Sequence, residues 1–260
     1  MLYTSTRNKS LRVEASEAIT RGISEEGGLF VPVEIPKLSL EDLQDMIPLS
    51  YIERAKKVLS LYLTDFTPEE IDACVSGAYA DGKFDSDKVA PLVTLDDKAE
   101  VLELFRGPTC AFKDMALQLL PYLLTTASKK AAPDKQIVIL VATSGDTGKA
   151  ALEGFKDVPG TRILVFYPED GVSPMQKLQM VTQEGANVGV CAIEGNFDDA
   201  QSGVKRSLRT KRSEQNSLKT GLCSLPPTPS TGAVSYRRSS TTAAPMQTCW
   251  KRGRSLPANP

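Results

Sequence analysis

Lys113 stands in a sequence that gives a lysine an uncommon setting. The stretch G-P-T-C-A-F-K-D, residues 107–114, separates a short apolar run from a helical pattern, and Phe112 and Met115 place apolar side chains beside the lysine. Most lysines are solvated surface charges. A lysine in a partly desolvated site is more readily neutral, and its amine can then attack a carbonyl group to form a Schiff base. Lys113 is therefore the candidate nucleophile.

A second candidate segment is A-T-S-G-D-T-G, residues 142–148, which follows a buried apolar run and opens a helical pattern. Glycines allow a backbone to approach a ligand closely, and a helix N-terminus offers unpaired N–H groups to an anion. The spacing matches neither the G-x-x-x-x-G-K-[ST] loop nor the G-x-G-x-x-G fingerprint. An anion-binding loop and a plain strand–helix turn both remain open from spacing alone.

The chain has no histidine, which excludes a Ser-His-Asp triad, a Cys-His pair and a histidine-ligated metal within it. Its five cysteines include no C-x-x-C pair, so we expect no metal site and reduced thiols. Neither a signal peptide nor a run of about 20 apolar residues is present, and we expect a cytoplasmic protein with no membrane partner. A lysine working with an organic cofactor is the most economical catalyst.

The pattern of apolar residues predicts two zones that position these segments. Residues 1–90 read as mainly helical, with a helix over 51–62 and a capping box at 67–70 that opens another. From about residue 100, strands at 101–105, 137–142, 162–167 and 187–193 alternate with helices at 114–128, 147–156 and 173–185. The first of these helices has a proline, Pro121, that can kink or break it. Alternation of this kind predicts an α/β fold with a parallel sheet over residues 91–206.

Residues 207–260 differ in composition from the rest of the chain. Residues 1–206 carry 22 basic and 31 acidic residues, whereas 207–260 carry nine basic residues, one acid and 22 Ser, Thr and Pro. Such a segment buries too little apolar surface to offset its ordering entropy, so we expect it to be disordered. Its positive charge alone supports only weak, salt-sensitive attraction to nucleic acid, and we expect no nucleic-acid partner.

Several motifs together resemble the threonine synthase family, a group of pyridoxal-phosphate (PLP) lyases of fold type II. The stretch V-L-E-L-F-R-G-P-T-C-A-F-K-D-M-A-L-Q, residues 101–118, is similar to the family's signature. Y-T-S-T-R at 3–7, G-G-L-F-V-P at 27–32, A-T-S-G-D-T-G and the segment from Tyr167 to Met180 are similar to further family motifs. The resemblance covers residues 1–206. One departure is Arg106, where many members have histidine.

The resemblance implies specific roles. Lys113 would hold PLP covalently through its amine and later move protons, with Phe112 beside the cofactor. The family converts O-phospho-L-homoserine and water to L-threonine and phosphate. The substrate carboxylate would be held by Ser144, Gly145, Asp146 and Thr147, and the substrate phosphate by Arg106 and Thr109. Gln176 and Gln179 lie in a family motif, although a solvated helix face explains them equally well.

The resemblance ends near Arg206, which implies an incomplete sheet domain and a truncated, poorly active chain. Residues 227–238 can be encoded, one base out of register, by codons for A-N-S-I-N-W-G-R-L-V-P-Q, a phrase similar to the family's downstream sequence. We therefore expect that the tail arises from a frameshift. An apolar sheet edge that the tail cannot cover is expected to lower solubility and PLP affinity.

Other functions remain open from the sequence. A related fold type II lyase such as threonine dehydratase has the same cofactor chemistry, but the Y-x-S-T-R start and the helical N-terminal region argue against it. A non-catalytic fragment that binds a ligand through S-G-D-T-G is a second alternative. The sequence does not indicate the oligomeric state.

Overall fold

A computed structural model of the chain describes residues 1–80, 82–133, 135–214 and 231–237. Its helices are α1 (Ala15–Arg21), α2 (Leu40–Met46), α3 (Tyr51–Tyr62), α4 (Pro68–Tyr79), α5 (Asp114–Leu117), α6 (Leu120–Ala131), α7 (Asp146–Phe155), α8 (Pro174–Val181) and α9 (Phe197–Glu214). Its strands are β1 (Tyr3–Ser5), β2 (Phe30–Pro32), β3 (Leu92–Asp96), β4 (Ala99–Leu102), β5 (Lys135–Ala142), β6 (Thr161–Pro168), β7 (Val188–Ile193) and β8 (Thr231–Arg237). The α/β class predicted from the sequence is confirmed.

The N-terminal helices begin where their sequences provide side-chain caps. Ser39, Ser50 and Thr67 each accept the backbone N–H three residues later, and the acid at that later position completes a capping box. Helix α3 has the predicted bounds, and α4 begins at the predicted Pro68. Residues 71, 74, 75 and 78 of α4 are buried, which confirms the apolar face that their spacing predicts.

The helical N-terminal region shares a core with the sheet region through α6. Both α1 and α4 pack against α6. One apolar cluster contains Ile71, Val75 and Tyr79 together with Ala127 of α6, and Leu123 lies against it. This core contains residues from both sides of residue 90. The division of the chain into two domains at that point therefore stays a prediction.

The main sheet has the strand order β7-β6-β5-β8. Strand β5 pairs with β6 in parallel, and β6 pairs with β7 in parallel, as the predicted strand–helix alternation requires. Ile139, Val141 and Val165 on the strands are fully buried with Leu152 and Phe155 of α7. The carboxyl end of β5 leads directly into the segment that precedes α7, so the sheet places that segment at its ligand-binding edge.

Two elements differ from the sequence prediction. The strand predicted at 101–105 is not part of the parallel sheet: β4 pairs antiparallel with β3 in a separate, exposed hairpin. Asp96 makes the turn, since its carboxylate accepts the N–H of Lys98 at 2.8 Å. The helix predicted over 114–128 is broken into α5 and α6, because Pro121 lacks the N–H that a continuous helix needs.

The tail prediction fails for two segments. Helix α9 continues to Glu214, and β8 pairs antiparallel with β5, with Lys135 opposite Arg237 and Val141 opposite Thr231. Residues 231–236 carry no charge, and the unpaired backbone groups of an edge strand favour such a partner. The β5 edge is therefore covered rather than exposed as predicted. The remainder of 207–260 lies outside the described residues.

Candidate active site

The segment before Lys113 is held by a buried carboxylate. Asp114 is 0% exposed and accepts the backbone N–H of Thr109 at 2.8 Å and the Thr109 hydroxyl at 2.7 Å. A Cβ atom added to Gly107 would lie 2.6 Å from Asp114 Oδ2, so only glycine allows this close approach. Cys110 has a φ of 57°, which is the left-handed region that L-residues rarely adopt. The turn is therefore fixed by contacts with Asp114.

Lys113 emerges from this turn as the residue immediately before α5. Its side chain is half-buried, and its Nζ lies 5.0 Å from the centroid of the Phe112 ring, which is 61% exposed. Within the described part of the chain, no carboxylate forms a salt bridge with Lys113. The amine therefore lies on a rigid support, beside an aromatic face and within reach of a small molecule.

The 143–148 segment is organised by Thr143, whose side chain is fully buried. Its Oγ1 donates to the Gly145 carbonyl at 3.0 Å and accepts the N–H groups of Gly145 at 3.1 Å and Gly148 at 3.0 Å. A Cβ on Gly148 would approach Thr143 Cγ2 to 2.4 Å and Met180 Sδ to 3.1 Å. A small residue is therefore required at 148, and the loop closes on its own helix.

This loop presents the N-terminus of α7 toward solvent. Gly145 is the N-cap, and Thr143 Oγ1 already accepts the N–H of Gly148, so the N–H groups of Asp146 and Thr147 are the ones offered to an incoming acceptor. Ser144 and Asp146 are exposed and Thr147 is half-buried. Any contact from Asp146 to an anion must come from its backbone N–H, because its side chain has the same charge. The sequence-predicted residues 144–147 are thus brought together at one helix end.

Gln176 makes a contact with the loop that its position in the sequence does not predict. It closes the predicted capping box of α8 with Ser173, and its Nε2 also donates to Asp146 Oδ1 at 2.8 Å. A Cβ on Gly145 would lie 2.4 Å from Gln176 Nε2, which shows how closely the amide lies against the loop. Gln179 makes no such contact with this loop among the described hydrogen bonds. Gln176 and Asp146 are 30 residues apart in the sequence, so the spacing of residues along one helix could not predict their hydrogen bond.

The two candidate segments are connected through α5 and α7, which pack against each other. A Cβ on Gly154 of α7 would lie 2.1 Å from the Leu117 carbonyl oxygen at the end of α5. The missing side chain at 154 therefore sets the distance between the two helices. Helix α7, which begins at Asp146, therefore supports α5, the helix that follows Lys113.

Arg106 and Thr109, the two residues predicted to line a phosphate site, are engaged with protein carboxylates. Arg106 donates from Nε and Nη2 to Glu103 Oε2 at 2.8 and 2.6 Å, and its Nη1 lies 3.5 Å from Asp85 Oδ2. These hydrogen bonds to Glu103 raise the pKa of Arg106 further above its ordinary value. Thr109 is 9% exposed and gives its hydroxyl proton to Asp114. Thr109 therefore stabilises the turn that precedes Lys113, and Arg106 is held by Glu103 and Asp85 at the residue before that turn.

Among the described residues, no group of three or more acidic, cysteine or histidine side chains is placed to hold a metal ion. No helix of the described segments has the length and apolar character needed to cross a membrane.

Comparison with known proteins finds similarity to threonine synthases. Residues 2–79 match the family model described as threonine synthase N terminus. The threonine synthase of Pseudomonas aeruginosa is 40% identical over 208 residues, which cover 80% of this chain and 44% of that protein. The crystal structure described as PLP-bound threonine synthase from Brucella melitensis has a TM-score of 0.76 at 37% identity, covering 85% of this chain and 47% of that one.

Over most of its length, this chain is similar to the N-terminal part of threonine synthases. The threonine synthase structure from Escherichia coli gives the same result, with a TM-score of 0.70 at 32% identity over 82% of this chain. A human relative described as threonine synthase-like 1 is 37% identical over 199 residues, which cover 74% of this chain and 26% of that protein. The chain spans less than half the length of the curated threonine synthases that it matches.

Proposed function

We propose that this chain provides the lysine-bearing part of a threonine synthase, which converts O-phospho-L-homoserine and water to L-threonine and phosphate. The observation that carries the proposal is the arrangement of Lys113. Its half-buried amine follows a clamped turn, and its helix packs on α7, whose N-terminus lies in the S-G-D-T-G loop. The family relationship and the PLP named for the Brucella melitensis structure support the same reaction.

The residues present fit a covalently held PLP. An amine that is beside an aromatic ring and without a carboxylate partner in the described segments can attack the aldehyde of the cofactor. PLP, when bound, supplies an electron sink for negative charge at the substrate carbons. Lys113 is the group in this segment that we propose to hold the cofactor and to carry protons at Nζ, with Phe112 packing beside the ring.

The α7 N-terminus supports the second half of the proposal. We assign the substrate carboxylate to the N–H groups at the start of α7 and to the hydroxyl groups of Ser144 and Thr147. A helix N-terminus carries partial positive charge and stabilises an anion. Gly145 allows the ligand to approach the backbone, and Gln176 keeps Asp146 turned toward α8 through its hydrogen bond.

The phosphate group of the substrate needs donors other than those first predicted. The guanidinium of Arg106 is neutralised by Glu103 and Asp85, and the Thr109 hydroxyl already donates a hydrogen bond to Asp114. We propose that Arg106 and Thr109 act on the turn, and that the phosphate is bound by residues of the family fold beyond the described segments.

Product analysis tests the reaction. Purified protein is incubated with PLP and O-phospho-L-homoserine, and phosphate and threonine are measured together. Equal amounts of both products, abolished in Lys113→Ala, are the expected result. Conversion of added threonine to its keto acid, without phosphate release from O-phospho-L-homoserine, would instead favour the dehydratase alternative.

We propose in addition that residues 207–260 come from a shifted reading frame and that the protein is cytoplasmic. The change in charge after Arg206 and the out-of-register match at 227–238 support the first proposal. The free thiols of Cys74 and Cys110 are compatible with the second. Sequencing the DNA around codon 206 tests the frameshift, and family-like sequence in another frame downstream is the expected result.

A further inference from the structure

We propose that Asp114 and Thr109 are positioning residues for the Lys113 amine. The inference rests on the proposed function of Lys113 and extends it to two neighbours that need not touch the cofactor. Both hydrogen bonds of the pair close a ring of backbone from 109 to 114, and Lys113 lies within that ring. These two hydrogen bonds, which we call the Thr109–Asp114 clamp, therefore determine where α5 begins and at which point the lysine side chain leaves the backbone.

The surroundings of Asp114 show that the clamp is built to a narrow tolerance. Its side chain is fully buried, so water does not replace a lost partner easily. Gly107 leaves no room for a Cβ on one side of the carboxylate, and Cys110 adopts a left-handed conformation in the turn between the two partners. A turn that retains a strained residue must be determined by the contacts around it.

Contacts with α4 and α7 hold α5 independently of the Thr109–Asp114 hydrogen bonds. Tyr79 of α4 donates its hydroxyl proton to the Met115 carbonyl at 2.6 Å, and the Leu117 carbonyl lies against Gly154 of α7. Because α5 is held by these contacts, loss of the Thr109–Asp114 bonds frees the turn on the other side of Lys113. The expected consequence is a displaced amine on a helix that remains folded.

The test compares Thr109→Val and Asp114→Ala with a matched control, Thr125→Val. The Thr125 hydroxyl also donates to protein, to the carbonyls of Pro121 at 2.8 Å and Tyr122 at 3.2 Å, but it lies within α6. Each protein is incubated with PLP and reduced with borohydride, and the cofactor fixed on Lys113 is measured by peptide mass spectrometry. A hydrogen bond to a charged group contributes about tenfold to an equilibrium constant, so about a tenfold lower Lys113 yield is expected in both clamp variants. Thr109→Ser, which keeps the hydroxyl, is expected to restore the yield.

A second readout does not depend on PLP. Formaldehyde and borohydride methylate exposed amines. The ratio of the methylation rate at Lys113 to the rate at the exposed Lys129 reports how accessible the Lys113 amine is. We expect this ratio to change severalfold in Thr109→Val and Asp114→Ala, and not in Thr125→Val. Unchanged ratios and yields in the clamp variants, or the same losses in the control, would overturn the positioning role. A changed ratio with no PLP adduct in the unsubstituted protein would reject the proposed function and retain the positioning role.

Discussion

The side-chain amide of Gln176 donates to Asp146 Oδ1 at 2.8 Å and so connects α8 to the first residue of α7. The same amide closes the capping box with Ser173, accepting its N–H at 3.3 Å. One side chain therefore fixes both the start of α8 and the loop that precedes α7. The carboxylate of Asp146 is thereby directed away from the helix end that is proposed to bind an anion.

Replacing Gln176 is expected to loosen the 143–148 loop. Gln176→Ala removes a hydrogen bond to a charged group, and exchange of the loop amides is expected to become about tenfold faster by hydrogen-exchange mass spectrometry. Gln176→Glu places two carboxylates together and is expected to have at least the same effect. Gln179→Ala on the same helix is the control, and equal exchange in both alanine variants would show that the amide does not hold the loop.

Gly154→Ala is expected to separate α5 from α7. The added methyl group would lie 2.1 Å from the Leu117 carbonyl oxygen, so the helices must move apart. Overpacking of this kind lowers the free energy of unfolding by about 2 kcal/mol. The control is Gly203→Ala in α9, where no atom of the described residues lies within 4 Å of the new atom and helix propensity favours alanine by up to about 1 kcal/mol. Denaturant unfolding of both variants measures the difference, and equal stability would show that the α5–α7 contact is not tight.

Tyr79 is expected to make the fold sensitive to alkaline pH. Burial raises the pKa of Tyr79 above its ordinary value of 10.0, and burial raises the pKa of Tyr51 in the same direction. Above pH 10 the unfolded chain loses these protons first, so it binds fewer protons than the folded chain and the free energy of unfolding falls as pH rises. Below pH 10 the contribution is fully present.

Tyr79→Phe tests this dependence. The variant also loses the hydrogen bond to the Met115 carbonyl, which lowers the free energy of unfolding by about 1 kcal/mol at neutral pH. Its decline in stability between pH 9 and 11 is expected to be shallower than that of the unsubstituted protein, with Tyr51 retaining part of the slope. An identical slope in denaturant unfolding would assign the alkaline sensitivity to other groups.

Local sequence patterns predicted the parts of the fold that local physics determines. The capping boxes at 67–70 and 173–176 opened helices where predicted, and buried runs gave β5, β6 and β7. The hairpin of β3 and β4 was missed because an apolar run at 101–105 has the same composition in an exposed ribbon as in a buried strand. Strand β8 was missed because its partner is almost 100 residues away.

The candidate site was predictable in its segments but not in its contacts. Lys113 and residues 144–147 could be proposed from the sequence because glycine, apolar flanks and motif resemblance all lie within short stretches, and their roles stay predictions. The roles of Arg106 and Thr109 depend on the carboxylates of Glu103, Asp85 and Asp114, and a sequence does not show which cation or hydroxyl has a buried partner. The Gln176–Asp146 hydrogen bond depends on how α7 and α8 lie relative to each other, which the sequence does not show.

The most direct test of the account is the location of covalently bound PLP. The unsubstituted protein and Lys113→Ala are incubated with PLP, reduced with borohydride, digested and analysed by mass spectrometry. We expect the amount of cofactor adduct on Lys113 to be well above the amount on exposed lysines such as Lys129. We expect Lys113→Ala to lose this adduct alone. Cofactor distributed over surface lysines to the same extent in both proteins would contradict it.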